Sequence, residues 1–134
     1  IVVGREVEIR HKHDGAPGQL VDIHATLPCS HTSQSEPHDI RVIVEVKGCW
    51  NSNVLTDMNT QLAKRYLKDN PEAHGLYVVG WYLCDQWDSG DRRRSGCSRH
   101  RSVTFLKSVL DRQAKKLSTP NQMMESCVLN LALR

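Results

Sequence analysis

The sequence predicts an α/β fold in which a mixed central β-sheet is flanked by helices. Three observations predict it. Branched apolar residues alternate with polar ones in the first third of the chain, two later stretches repeat apolar groups every three or four residues, and a near-continuous apolar run lies between those two.

Arg5 to His11 alternates charged and branched groups, as a half-exposed strand does. Asp14-Gly15-Ala16-Pro17-Gly18 is dense in turn formers, so Gln19 to Leu27 reads as the second strand of a hairpin centred on Ala16. A polar stretch over 28–38 leads to a third strand, Ile40 to Lys47. Leu55, Met58, Leu62 and Tyr66, with Ala63 and Leu67, then form a helical stripe that Asn70-Pro71 stops. Leu76 to Leu83 has the composition of a central strand covered on both faces. Residues 84–101 read as a long basic loop. Ser102 caps a second helix whose apolar side is Val103, Leu106, Val109, Leu110, Ala114 and Leu117, ended by Ser118-Thr119-Pro120. Cys127 to Leu133 is read as an edge strand.

With 134 residues, 39% hydrophobic and 25% charged, the chain fits one domain and excludes disordered and collagen-like classes. It lacks an apolar run long enough for a membrane span, and its first residues do not have the pattern of a secretory signal. A soluble protein of the cytoplasm, or of the nucleus in a eukaryote, is expected. The start Ile1-Val2-Val3-Gly4, without methionine, predicts a fragment of a longer protein in preference to a processed product. It is also the start of an activated trypsin-like protease, but the chain is too short for two barrels and Asp88-Ser89-Gly90 sits in a polar loop.

Five cysteines, an odd number at irregular spacing, make no C-x-x-C, so a disulfide framework is not expected and a reducing compartment is favoured. Zinc sites built from Cys29 and His31, or from Cys84, Cys97 and His100, lack paired ligand spacing. Trp50, Trp81 and Trp87 read as packing residues before they read as base-stacking ones. The net charge is only +3, yet Arg92, Arg93, Arg94, Arg99 and Arg101 crowd one stretch. Such a cluster suits a phosphate backbone as well as it suits solvent.

The third strand carries an anomaly. Period two sets Val42, Val44 and Val46 on one face and Ile43, Glu45 and Lys47 on the other, so an acid and a lysine are neighbours within an apolar strand. Asp22 sits likewise among aliphatics on the second strand. A buried, unpaired carboxylate costs several kcal/mol, so such groups take a cation, a metal or a proton. Two acids and a lysine at one sheet edge suggest Mg²⁺ or Mn²⁺, which need only one or two carboxylates besides water and phosphate oxygens. A solvent-facing ion pair is the plainer alternative.

Gly18-Gln19-Leu20-Val21-Asp22-Ile23, followed by Glu45-Val46-Lys47 and by a helix carrying Gln61, resembles the PD-(D/E)xK nuclease superfamily with its restriction-endonuclease-like core. The likeness spans residues 5 to 85. Val21 stands where the motif has proline, and Asp39, in Pro37-His38-Asp39, imitates the first half-motif but opens the strand that holds Glu45.

The resemblance implies that Asp22 and Glu45, with the Val46 carbonyl, hold one or two Mg²⁺ or Mn²⁺ ions, and that Lys47 orients or deprotonates the attacking water. Gln61 and either Glu6 or Glu8, with Glu8 favoured, are the auxiliary candidates. The arginine cluster would then bind nucleic acid, DNA in preference to RNA. The activity implied is that of an endonuclease module of a larger defence, restriction or repair protein, acting as a homo-oligomer. A nuclease-like fold kept only for binding is the competing class.

Overall fold

The computed structural model describes residues 1–10, 19–28 and 39–133, the side chains at 6–10, 19 and 20 aside. Five strands form one sheet in chain order: β1 (Val2–Arg10), β2 (Gln19–Leu27), β3 (Ile40–Gly48), β4 (Ala73–Trp81) and β5 (Met124–Asn130). A π-helix spans Met58–Leu67, α1 spans Arg92–Ser98 and α2 spans Val103–Leu117. The α/β class and the mixed sheet are as the sequence predicts, and the last strand is present but displaced, running over Met124–Asn130 and leaving 131–133 outside it.

β1, β2 and β3 are antiparallel, whereas β4 runs parallel to β3 and β5 parallel to β4. Parallel neighbours require crossovers, and right-handed crossovers that step in one direction across a sheet place their helices on one face. Ile43, Tyr77 and Val79 accordingly share a buried core with Met58 and Leu62 of the π-helix and with Leu106 and Leu110 of α2.

This arrangement corrects the expectation of a strand covered on both faces. Tyr77 and Val79 are fully buried under the helices, while Leu76 and Val78, which point the other way, are half-buried. β4 also runs from Ala73 rather than Leu76, because the chain re-enters the sheet soon after Asn70-Pro71.

Helix boundaries follow local chemistry. The Ser102 hydroxyl accepts the Phe105 N–H at 3.0 Å and opens α2, whose buried side is Leu106, Leu110 and Ala114. The π-helix buries Met58, Leu62, Tyr66 and Leu67. Leu55, expected to lead this stripe, is exposed in the turn before it.

Two further expectations are corrected. Residues 84–101 are not all loop, because Asp91 caps α1 by accepting the Arg93 N–H at 2.9 Å. The second is the reducing compartment, because Cys49 and Cys97 form a disulfide with their Cα atoms 4.9 Å apart. The close approach depends on Gly96, where a Cβ would meet the Trp50 carbonyl oxygen at 2.7 Å. With that bond formed, cysteine usage no longer points to a reducing compartment. Among the described residues no helix is long and apolar enough to cross a membrane.

Candidate functional site

β2 and β3 pair from Leu27–Ile40 to Ile23–Val44, and the register carried one step further sets Asp22 opposite Glu45. There the ladder gives way to a side chain: the Val46 N–H donates to Asp22 Oδ2 at 2.7 Å. The N–H and C=O of one strand residue point to the same side, so the Val46 carbonyl faces the edge that Asp22 occupies. Asp22 is exposed, whereas Glu45 is only 2% exposed.

Lys47 Nζ lies 2.5 Å from Glu45 Oε1 and 3.2 Å from Gln61 Oε1. A third partner, Asp57, was not singled out in the sequence. Its Oδ2 is 3.6 Å from Lys47 Nζ, its Oδ1 accepts from Thr60 Oγ1 at 3.2 Å, and the residue is 4% exposed. The signal was available, since residues four apart share a helix face and Asp57 stands four before Gln61.

The turn that carries Asp57 is pinned to the sheet. Tyr77, the register neighbour of Glu45 on β4, donates its hydroxyl to the Val54 carbonyl at 3.0 Å. Asp57 N–H then bonds the Asn53 carbonyl at 2.8 Å. Glu45, Tyr77 and Asp57 are thus placed by one stretch of packing beneath the π-helix.

Burial pushes the Glu45 carboxyl above its usual range; the Lys47 hydrogen bond and charge oppose this, and the charges of Asp22 and Asp57 add to it. For Lys47, burial pulls downward, but the hydrogen bond and charge of Glu45, with the charges of Asp57 and Asp22, outweigh it and the value is raised. Lys47 is therefore an ammonium at neutral pH. It can donate hydrogen bonds and stabilise anionic charge, and in this state it is not a base.

Asp22, Glu45 and the Val46 carbonyl make a set of hard oxygen donors. Asp22 commits Oδ2 to Val46 and Glu45 commits Oε1 to Lys47, so each keeps a second oxygen for a cation. Among the described residues no three His, Cys, Asp or Glu side chains gather as a metal group, so the described side-chain donors are Asp22 and Glu45. That fits Mg²⁺ or Mn²⁺ completed by water and phosphate oxygens. Zinc from Cys84, Cys97 and His100 is excluded because Cys97 is in the disulfide; Cys29 and His31 lie outside the described residues.

Glu8 pairs with Leu20, where a hairpin centred on Ala16 would have set it opposite His24. The register therefore gives Glu6, rather than Glu8, the position facing Asp22. The side chains of both lie outside the described residues.

The arginines occupy α1 and the turn after it. Arg93 Nη2 pairs with Asp91 Oδ2 at 2.7 Å and its guanidinium lies over the Trp50 ring at 5.4 Å. Arg94 Nη1 donates to the Trp87 carbonyl at 2.9 Å, and Arg101 lies over Phe105. Arg92, Arg93, Arg99 and Arg101 are exposed. The Cys49–Cys97 bond ties this helix to the chain two residues beyond Lys47, so the basic surface stands beside the end of β3.

Comparison of the chain with protein-family models, with curated proteins and with solved structures finds no match.

Proposed function

We propose that the chain is a divalent-metal-dependent nuclease domain that hydrolyses phosphodiester bonds, DNA in preference to RNA, on a restriction-endonuclease-like core. The carrying observation is the meeting of Asp22 and Glu45 on adjacent strands with Lys47 one turn of pleat away, held by Asp57 and Gln61. A solvent-facing ion pair would not bury Glu45 to 2% exposure. Nor would it need the Asp22 carboxylate to take over a main-chain partner.

Asp22, Glu45 and the Val46 carbonyl would hold Mg²⁺ or Mn²⁺, which when bound polarises the scissile phosphate and stabilises the leaving oxygen. Lys47, held as an ammonium, orients the attacking water and stabilises charge on the phosphate oxygens. Gln61 and Asp57 fix its direction. Arg92, Arg99 and Arg101 supply exposed positive charge for the phosphate backbone. A role within a larger defence, restriction or repair protein, as a homo-oligomer, goes with this reading.

The test is incubation of the protein with plasmid DNA, and separately with RNA, with Mg²⁺, with Mn²⁺ and with EDTA, alongside Asp22→Asn and Lys47→Ala. Metal-dependent cleavage abolished by each substitution is expected. Cleavage that persists in EDTA or in either variant overturns the mechanism, and nucleic-acid binding without cleavage establishes the binding-only class.

A further inference from the structure

Where β3 and β4 leave the sheet, the sequence repeats itself: Gly48-Cys49-Trp50 on one strand and Gly80-Trp81-Tyr82 on the next. Gly48 and Gly80 are register partners. A Cβ on Gly48 would sit 2.5 Å from the Trp50 ring, and one on Gly80 would sit 2.6 Å from the Tyr82 ring. Each aromatic thus folds back over its own glycine, and the two glycines make a shared floor. Trp87 closes the group, its ring 6.0 Å from Trp50 and 6.5 Å from Tyr82 between centroids.

Trp50 and Trp87 pack against the edge of the hydrophobic core, yet the group of rings is not enclosed. Trp50 and Trp87 are half-buried, Tyr82 is 36% exposed, and together with Asp88, Arg93 and Leu131 they line a cavity of about 390 Å³. That lies at the small end of ligand pockets, which run from about 300 to 1,000 Å³. It also stands at the carboxyl ends of parallel strands, where open α/β sheets bind ligands.

We infer that this pocket seats an unstacked base of single-stranded nucleic acid, held by aromatic contact with Trp50, Tyr82 and Trp87 while the arginines of α1 track the backbone. A methylated ammonium would also suit aromatic rings. Here the Arg93 guanidinium already lies over Trp50, and residues 84–101 hold five arginines against three aspartates. Arg93, paired with Asp91, occupies the face of Trp50 that a second cation would take, and the exposed Arg92 and Arg99 of the same stretch suit the phosphates that flank a base. Lys47 and Gly48 are successive residues whose side positions face opposite sides of β3. A single strand passing that strand end would set a phosphate near Lys47 and a neighbouring base against the Trp50 ring that covers Gly48. A duplex cannot present an unstacked base without first opening.

The inference names the substrate class of the proposed nuclease site and rests on that reading for its purpose, but binding is measured apart from cleavage. Fluorescein-labelled single-stranded DNA and its blunt duplex are titrated by anisotropy with Ca²⁺ replacing Mg²⁺. Tighter binding of the single strand is expected, weakened about 5- to 150-fold by Trp87→Ala. Binding of the duplex should be unchanged. Tyr82→Ala, at a more exposed position, gives the same reading if Trp87→Ala does not melt cooperatively.

Equal weakening on both substrates, or no weakening in a folded variant, overturns the pocket. So does quenching of tryptophan fluorescence by a trimethyl-lysine peptide and not by the oligonucleotide. If the wild type never cleaves yet its single-strand preference depends on Trp87, the nuclease reading falls and the pocket stands. If cleavage requires Lys47 and both pocket variants bind single strands as the wild type does, the pocket alone falls.

Discussion

Lys47 Nζ lies 3.6 Å from Asp57 Oδ2 and 2.5 Å from Glu45 Oε1, so one ammonium is shared by two acids that are both nearly inaccessible to water. This fixes what each can do. The acids need the cation because an unpaired buried carboxylate is costly, and the cation keeps its proton because of the acids.

Lys47→Ala therefore removes more than a catalytic group. Two buried carboxylates lose their partner, and the expected destabilisation at neutral pH is about 3–5 kcal/mol. Glu45, already raised by burial, rises further without the lysine. A carboxyl whose folded value exceeds its unfolded one contributes stability below the unfolded value and loses it as pH rises through the folded one. Urea unfolding of Lys47→Ala should accordingly show stability falling as pH is raised from about 4.5 toward 7. A deficit that does not change with pH would contradict the placement of the acids.

Asp22→Asn separates the structural use of Asp22 from the chemical one. The amide oxygen still accepts the Val46 N–H, so the variant should unfold within about 0.5–1.5 kcal/mol of the wild type. It loses the negative charge needed by a divalent ion. Isothermal titration with Mn²⁺ should show binding weakened by at least about tenfold, a loss as large as removing an outer-shell partner. Unchanged Mn²⁺ affinity would remove Asp22 from the metal set.

The sequence made the site readable because burial of charge leaves a pattern. Glu45 and Lys47 alternate with valines, so period two alone put those two on one face, and Asp22 stood out as an acid among aliphatics; the β2–β3 register then brings it opposite Glu45. Asp57 left no such trace: it lies in a turn, where acids are ordinary, and only the hydrogen bond from Tyr77 to Val54 brings that turn against the strand. The apolar run of β4 misled for a related reason. Leu76 and Val78 are as hydrophobic as Tyr77 and Val79, but both crossovers fall on the other face of the sheet, and composition does not encode handedness. The Cys49–Cys97 bond escaped because its partners are 48 residues apart and meet only when α1 packs on Trp50.

Tyr77→Phe tests whether the turn positions Asp57. The change deletes one hydroxyl, leaves the ring packed and strips the Val54 carbonyl of its donor. A loss of about 1–3 kcal/mol in stability is expected. If Tyr77 acts through Asp57, metal-dependent cleavage at saturating substrate should fall while oligonucleotide affinity stays constant, and Asp57→Asn should reproduce that split. Equal loss of both would mean that the hydroxyl merely holds the fold.

Cys97→Ser should weaken stability and nucleic-acid binding together. Closing a loop with a sequence separation of 48 is worth about 4 kcal/mol in the chain-entropy description of a crosslink. The same bond holds the arginines of α1 beside the end of β3, so its removal frees them from the phosphate path. Denaturant midpoints measured with and without dithiothreitol should converge for Cys97→Ser and differ for the wild type. DNA affinity of the reduced wild type should drop, with a shallower dependence on salt, because fewer phosphates are contacted at once. Identical midpoints under both conditions would mean that the crosslink does not constrain the unfolded chain, and an unchanged salt slope would place the phosphate-binding surface elsewhere than α1.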